Sequence, residues 1–425
     1  MSRQIPLIQP ESEWAAPEIL PSFAPTETIA VDLETYDPDL SKTGPGWATG
    51  KGHPVGIALA TETWSGYLPI RHEGGGNLEE ELVLRWLKNT LENHKGTLVF
   101  HNALYDVGWL KREGIDIKCS IRDTMFAAPL LDENRRSYSL NNLGKDYCGE
   151  EKDESLLHDA ATAWGVSTKG GLYALPAKYV APYAEQDAVL TLKLWAIFSK
   201  LIASEGLQKI YDLECDLIPL LIEMRWRGVR IDLDRAHQVS EELSKKEQQL
   251  LVEFKRKFGS NVEIWSNASI QKAFDNNDIW YPHTEKGMPS FQANWLENHD
   301  HELPKMLVAA RKLNKARTTF IGTVTGRFSY SNPNLQQVPA RDPEIGKMIR
   351  SLFIPEEGAH WGVFDYSQQE PRITVHYSSL LGLTGAEEAV EAYSSQDADF
   401  HQIVADMADI PRKQAKNINL GLTYG

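Results

Sequence analysis

Residues 28–34 read TIAVDLE, and the period of this run governs how the chain is read. Its apolar and β-branched residues make a strand. Asp32 and Glu34 interrupt the run at positions i and i+2, so strand alternation aims both carboxylates at one face. Two acids beside a core cost free energy unless something neutralises them, and a divalent cation is the usual remedy. Taken alone, such a D-x-E is equally a solvent-facing pair.

Working outward, short apolar runs recur at 55–60 (VGIALA), 66–70 (GYLPI) and 97–101 (TLVFH). Before the last of them, Leu78, Leu82, Val83, Trp86, Leu87 and Leu91 follow helical spacing. Three strands, a helix and a further strand predict a mixed sheet flanked by helices, an α/β unit reaching to about residue 200. From 208 to 258 the pattern is helical throughout. One helix carries Leu213, Leu217, Leu220, Leu221 and Met224 and ends near Gly228; a second, 234–257, is heavily charged and reads as a solvated helix. Strand signals return at 361–365 (WGVFD) and 372–377 (RITVHY), and the chain closes on an amphipathic helix over 411–424.

The loop GPGWATGKG (44–52) imitates a phosphate-binding loop. Its spacing fails, because Pro45 stands where the first glycine is needed and Gly52 where Ser or Thr is needed.

At 425 residues the chain is long enough for about three domains. Its 42% hydrophobic and 24% charged residues are those of a folded chain rather than a disordered one. The net charge of −15 argues, as a total, against a polyanionic partner. The total hides a window, however. Residues 305–350 hold nine Lys or Arg against two acids, a local +7 suited to a phosphate backbone. Cys119, Cys148 and Cys215 are far apart, which fits a reducing cytoplasm. The first twenty residues hold prolines and acids where a signal peptide needs an apolar run, and no stretch reaches the roughly 18 apolar residues of a membrane span.

Two more acids join the first pair. Asp106 follows the run at 97–101 in N-A-L-Y-D, four residues after Asn102. Asp187 lies four residues after Tyr183 in Y-A-E-Q-D, and that spacing puts Tyr and Asp on one helical face. The order D-x-E, N-x-x-x-D, Y-x-x-x-D resembles the three-motif 3′→5′ exonucleases of the DEDDy type, with an RNase H-like fold, over residues 28–195. The resemblance implies that Asp32, Glu34, Asp106 and Asp187 bind two divalent ions, Mg²⁺ or alternatively Mn²⁺, and that Tyr183 orients the attacking water. For Asn102 a structural hydrogen bond and a substrate contact stand equally open.

A second constellation begins with TVTGRFSYSNPNLQQVP (323–339), continues through VFDYSQQEPR (363–372) and DFHQ (399–402), and ends in RKQAKNINLGLTYG (412–425). In the last of these, Arg412, Lys416, Leu420 and Tyr424 recur every four residues as one slanting helical stripe. Two cations, an aliphatic and an aromatic on one stripe would suit a triphosphate with its sugar and base. In combination these segments resemble the family A DNA polymerases over the whole chain, and 213–232 is similar to that family's thumb entry.

The resemblance implies several roles. Asp365 binds both catalytic metals with the carbonyl of Tyr366. Glu370 is a steric gate against a 2′-hydroxyl, while Gln368, His401, Arg412 and Lys416 contact the incoming triphosphate. Tyr424 lies under the templating pair, and Arg327 meets the primer terminus. The chain departs from the pattern at Leu420, where an aromatic is usual, and at Pro371 after the gate. The family's His-Asp-Glu turn, which brings the second palm carboxylate, does not occur before Gly425.

The expected layout is an exonuclease domain over 1–205, a helical thumb over 206–320 and partial palm and fingers over 321–425. The implied partners are DNA primer-template and deoxynucleoside triphosphates, with a missing C-terminal polymerase part or a processivity factor, and no membrane. As a phage-type enzyme the chain would act in the host cytoplasm, as a nuclease that lacks part of its polymerase. The alternatives are a stand-alone exonuclease with a DNA-gripping C-terminal part and a non-catalytic DNA-binding subunit.

Overall fold

Five strands form one sheet in the computed structural model, which describes residues 6–316, 343–395 and 399–424. They are β1 (Thr28–Tyr36), β2 (His53–Ala60), β3 (Ser65–Pro69), β4 (Thr97–Phe100) and β5 (Ser120–Asp123), in spatial order β3-β2-β1-β4-β5. β1 runs antiparallel to β2 and parallel to β4, and β5 is parallel to β4. This is the mixed sheet that the sequence predicts, with one strand added. The run SIRD is short and half charged, so β5 leaves little periodic signal.

The principal helices of the first unit (Met1–Ile354) are α1 (Glu80–Glu92), α2 (Ala103–Arg112), α3 (Thr124–Leu131), α4 (Ala177–Ser204), α5 (Gln208–Arg227), α6 (Leu233–Phe258) and α7 (Glu302–Ala316). Alternation on β1 sends Ile29, Val31 and Leu33 into the larger core, where Leu87 of α1 and Leu110 of α2 are buried. Ala30 faces the other way. With Ala58 and Ala60 of β2 it forms a shallow floor, onto which α4 sets Ala181, Ala184 and Ala188. Methyl-sized side chains on both surfaces let helix and sheet approach closely, and this brings the polar residues of α4 to the acids of β1.

α5 is helical where predicted, but its leucine stripe is not its buried face. Leu213, Leu220 and Met224 are exposed, while Tyr211, Cys215, Ile218 and Ile222 are buried in the larger core. The helix is apolar on two sides, and packing chose between them. α6 bears out the solvated reading of its charges, since it buries only Val239, Leu243, Glu247 and Phe254. Phe254 joins a second core with Phe274, Leu303 and Leu307.

The loop at 44–52 is no nucleotide cradle in its contacts either: Trp47 is buried and Lys51 pairs with Asp39 at 2.6 Å. In the basic window Arg311 donates to the carbonyls of Ile264 and Phe291, and Lys312 pairs with Glu297 at 3.0 Å. Part of that +7 is therefore structural. The segment 323–339, with Arg327, lies outside the described residues.

The second unit (Pro355–Gly425) holds α8 (Gln369–Leu380), α9 (Ala386–Ser395), α10 (Phe400–Ala408) and α11 (Arg412–Tyr424). The closing helix is as predicted. The two strands expected here are not formed. Residues 361–365 are irregular, with Val363 and Phe364 almost fully exposed, and 372–377 lie inside α8. A strand needs a paired neighbour for its backbone groups, and no described residue supplies one. The β-branched run at 372–377 instead winds into a helix behind Glu370. The three cysteines are free. Among the described residues no helix is long and apolar enough to cross a membrane.

Candidate active site

Asp32 and Glu34 occupy β1 opposite Ala58 and Gly56 of β2. The glycine is required, because a Cβ there would stand 2.0 Å from the Tyr67 hydroxyl. Tyr67 is wholly buried, and its hydroxyl meets His72 Nε2 at 2.7 Å. Asp106 arrives from the first turn of α2, where its Oδ1 accepts the Leu33 backbone N–H at 3.1 Å. The third acid is thereby fixed to the strand residue between the first two.

Asn102 starts α2 in the left-handed region, at φ 79°, where asparagine is among the best-tolerated side chains. Its side chain makes no capping bond; its backbone N–H donates to Asp123 Oδ1 at 3.1 Å. The other oxygen of Asp123 takes the Ala103 N–H at 2.7 Å, and Oδ1 also takes Met125 N–H at 2.8 Å. One buried carboxylate thus caps both α2 and α3. Sequence reasoning overlooked Asp123, although an Asp-Thr closing an apolar strand is an N-cap signal.

α4 supplies Tyr183 and Asp187. Between them Glu185 turns aside: its Oε1 accepts the backbone N–H of Tyr67 at 3.0 Å and the Trp14 indole N–H at 2.8 Å, which satisfies a donor on the edge strand β3. The second overlooked residue is Lys152. Its ammonium donates to Asp187 Oδ2 at 2.7 Å, lies 2.6 Å from Oδ1 and sits 4.7 Å from the centre of the Tyr183 ring. No periodicity marks it, as it is a lone lysine in a polar loop.

The electrostatics identify the acids as one cluster. Burial, then the charge of Asp187, pushes the Asp32 carboxyl up to about 7, with Lys152 opposing. Burial, Asp32 and Asp187 hold Glu34 well above the usual range. Burial and Asp32 do the same to Asp106. Asp187 is raised by burial in spite of Lys152. Tyr183 is pushed far up by burial and by Glu34, Asp187 and Asp32, so its hydroxyl keeps its proton. Buried carboxylates placed within one another's field are hard oxygen donors of the kind that suit a divalent cation. Both oxygens of Asp187 lie within 2.7 Å of the Lys152 ammonium, so a positive charge already faces this carboxylate. As the side chains stand, no three acidic, histidine or cysteine residues converge on a single ion position among the described residues.

Comparison with known proteins finds matches over both parts of the chain. A family model described as 3'-5' exonuclease matches residues 15–203, and one described as DNA polymerase family A matches 320–425. A DNA-directed DNA polymerase of Pseudomonas phage M6 is 38% identical, covering 97% of this chain and 69% of its own length. The chain belongs to the family A DNA polymerases. DNA polymerase DpoZ of Acinetobacter phage SH-Ab 15497 is 32% identical over 91% of this polymerase and 69% of its own length. A solved structure, the POL domain of Pol1 from M. smegmatis in complex with DNA primer-template and dNTP, superposes with TM-score 0.69 over 94% of this polymerase and 68% of that chain. At 21% identity that likeness shows the fold.

In the polymerase's second unit Asp365 and Tyr366 are exposed on the irregular stretch before α8. Gln368 has φ 52°, and its Oε1 accepts the Phe400 backbone N–H at 3.1 Å and the Tyr393 hydroxyl at 3.2 Å. His401 is buried, with Nδ1 3.0 Å from Asn419 Nδ2. Burial lowers its pKa, and the charges of Asp399, Lys416, Arg412 and Glu370 all act on it. Arg412 pairs with Asp399 at 2.7 Å, whereas Lys416 is exposed. Tyr424 belongs to α11; its side chain and that of Leu420 lie outside the described residues.

Proposed function

We propose that the first unit of this polymerase removes 3′-terminal nucleotides from DNA, with Asp32, Glu34, Asp106 and Asp187 holding two Mg²⁺ ions, or Mn²⁺ in their place. When bound, such a pair of ions supplies a nucleophile from water and stabilises the leaving 3′-oxygen. The protein's own part is to fix four carboxylates on three elements, one of them tied to the backbone of β1 through Leu33. Tyr183, protonated and adjacent to Asp187, orients the attacking water. The observation that carries this reading is the placement of Asp32 and Glu34 on one strand with Asp106 bonded to the residue between them, beside Asp187, whose charge acts on both strand acids.

For the second unit the reading follows the motifs. Asp365 and the carbonyl of Tyr366 serve the polymerase metals, and Glu370 excludes a 2′-hydroxyl. Gln368, His401, Arg412 and Lys416 take the triphosphate, an assignment supported by the shared electrostatic environment of the last three. Arg327 and Tyr424 are assigned to the primer terminus and the templating pair. We divide the chain into exonuclease (1–205), thumb (206–320) and partial palm and fingers (321–425). Nucleotide addition needs a second palm acid, and the sequence holds no His-Asp-Glu tripeptide. A further polymerase part would bring it. The partners are primer-template DNA and deoxynucleoside triphosphates.

The test uses 5′-labelled single-stranded DNA with and without Mg²⁺. Shortening from the 3′ end that requires Mg²⁺ and is lost in Asp32→Ala is the expected result. An unchanged rate in that variant would overturn the metal assignment, and primer extension by this chain alone would overturn the need for a second acid.

A further inference from the structure

Among the described residues, Lys152 is the one strong positive charge built into the carboxylate cluster. Its side chain and that of Asp187 are each less than a tenth exposed, at 8% and 7%. The backbone that carries it is held at several points. Lys152 N–H donates to Asn141 Oδ1 at 3.1 Å, and Asp153 N–H to Gln186 Oε1 at 3.0 Å. Gln186 Nε2 donates to the Glu151 carbonyl at 3.3 Å, and Lys193 pairs with Glu150 at 2.6 Å. Residues 150–153 are therefore fastened to α4 on either side of the Asp187 position. The lysine stem reaches inward from a fixed base, with the Tyr183 ring 4.7 Å from its ammonium. The aromatic face and the carboxylate together receive the cation.

We infer that Lys152 is an internal counter-ion that occupies the Asp187 end of the exonuclease site and is displaced from it when a divalent cation binds there. This rests on the metal reading proposed above. A carboxylate whose Oδ2 accepts a lysine proton and whose Oδ1 lies 2.6 Å from the same nitrogen has no free approach for an ion. This also accounts for the failure of three acids to converge on one point among the described residues. The lysine brings one positive charge to four acids, and a pair of divalent ions brings four. The exchange thus favours metal but weakens its apparent affinity by the fraction of time the lysine is in place. Lys152 accordingly keeps the cluster folded while metal is absent and raises the concentration of metal needed to arm the nuclease.

Two measurements on the full chain test this. In calorimetric titration with Mg²⁺, Lys152→Met is expected to bind about tenfold more tightly than wild type, and to melt at a lower temperature than wild type in chelator. Lys152→Arg, which keeps the charge, should resemble wild type in both. The second measurement needs no variant: acetylation of Lys152 by an amine-reactive reagent, read by mass spectrometry, should be slow in chelator and rise several-fold with Mg²⁺. Unchanged or weaker Mg²⁺ binding in Lys152→Met overturns the inference. If that variant does not fold, unaltered Lys152 labelling under conditions where wild type binds Mg²⁺ overturns it equally. Binding that ignores Lys152 removes this inference alone. Absence of any Mg²⁺ binding, in wild type and variant alike, removes the metal reading and this inference with it.

Discussion

The backbone N–H of Leu33 donates to Oδ1 of Asp106 at 3.1 Å across 73 residues of chain. A metal-ligand candidate on a helix is thereby also the acceptor for a buried strand donor, between two further candidates. The two duties separate by mutation. Asp106→Asn keeps an acceptor for Leu33, so its urea midpoint should stay close to that of wild type. Asp106→Ala leaves that N–H unpaired and should lose about 1–3 kcal/mol. Both should lose at least about 100-fold in exonuclease rate, the upper end of what a neighbour of a metal ligand costs. A stable but fully active Asp106→Asn would show that the carboxylate is structural only.

Asp32 gives a prediction with an unusual sign. Its folded pKa of about 7 lies above the ordinary 3.8 of an aspartate, so the carboxyl binds more protons folded than unfolded. Its contribution is favourable below pH 4 and is lost as pH rises through 7. Asp32→Asn should therefore melt higher than wild type in chelator at pH 8, by at least about 2 °C, the shift of roughly 1 kcal/mol in a domain of this size. The gain should vanish at pH 4. Scanning calorimetry at the two pH values checks it.

Two histidines, His72 buried and His101 partly buried, have the opposite effect. His72 and His101 are both lowered to about 4, chiefly by burial, from an ordinary 6.5. Each is held neutral in the fold, so stability is complete above pH 6.5 and declines as pH falls from there through 4. Urea titrations between pH 7 and 4 should show this decline. It should be shallower in His101→Gln, by an amount on the order of 1–3 kcal/mol at pH 4.

The alanine floor is the fourth test. Ala184 has no exposed surface, and it packs with Ala30 and Ala58 beneath α4. Ala184→Leu should cost about 1–3 kcal/mol from overpacking and should lift α4 away from β1. Exonuclease rate and Mg²⁺ affinity should fall by tenfold or more, although no ligand has changed. Ala184→Gly, which leaves the approach open, should lose stability but retain metal affinity.

How much of this was legible in the sequence can be followed residue by residue. β1 to β4, α1, α5, α6 and α11 follow from periodicity, because each carries a run long enough to show its period. β5 was too short for that. The strands expected at 361–365 and 372–377 were read from composition, and a composition suited to a strand makes none without a neighbouring backbone. On α5 the leucines at 213 and 220 were the conspicuous residues, yet Cys215 and Ile218 turned inward, since two apolar faces compete and only the surrounding core ranks them.

The same division runs through the site. The sequence by itself determined the candidate groups: four acids and a tyrosine, their order, and the strand or helix that carries each, because these depend on residue type and local period. The tertiary structure decided which groups meet. It set Asp106 against Leu33 and used Asp123 to cap two helices. It brought α4 down on a floor of alanines and placed Lys152 against Asp187. Those relations depend on close approach between distant segments, and no local period records them.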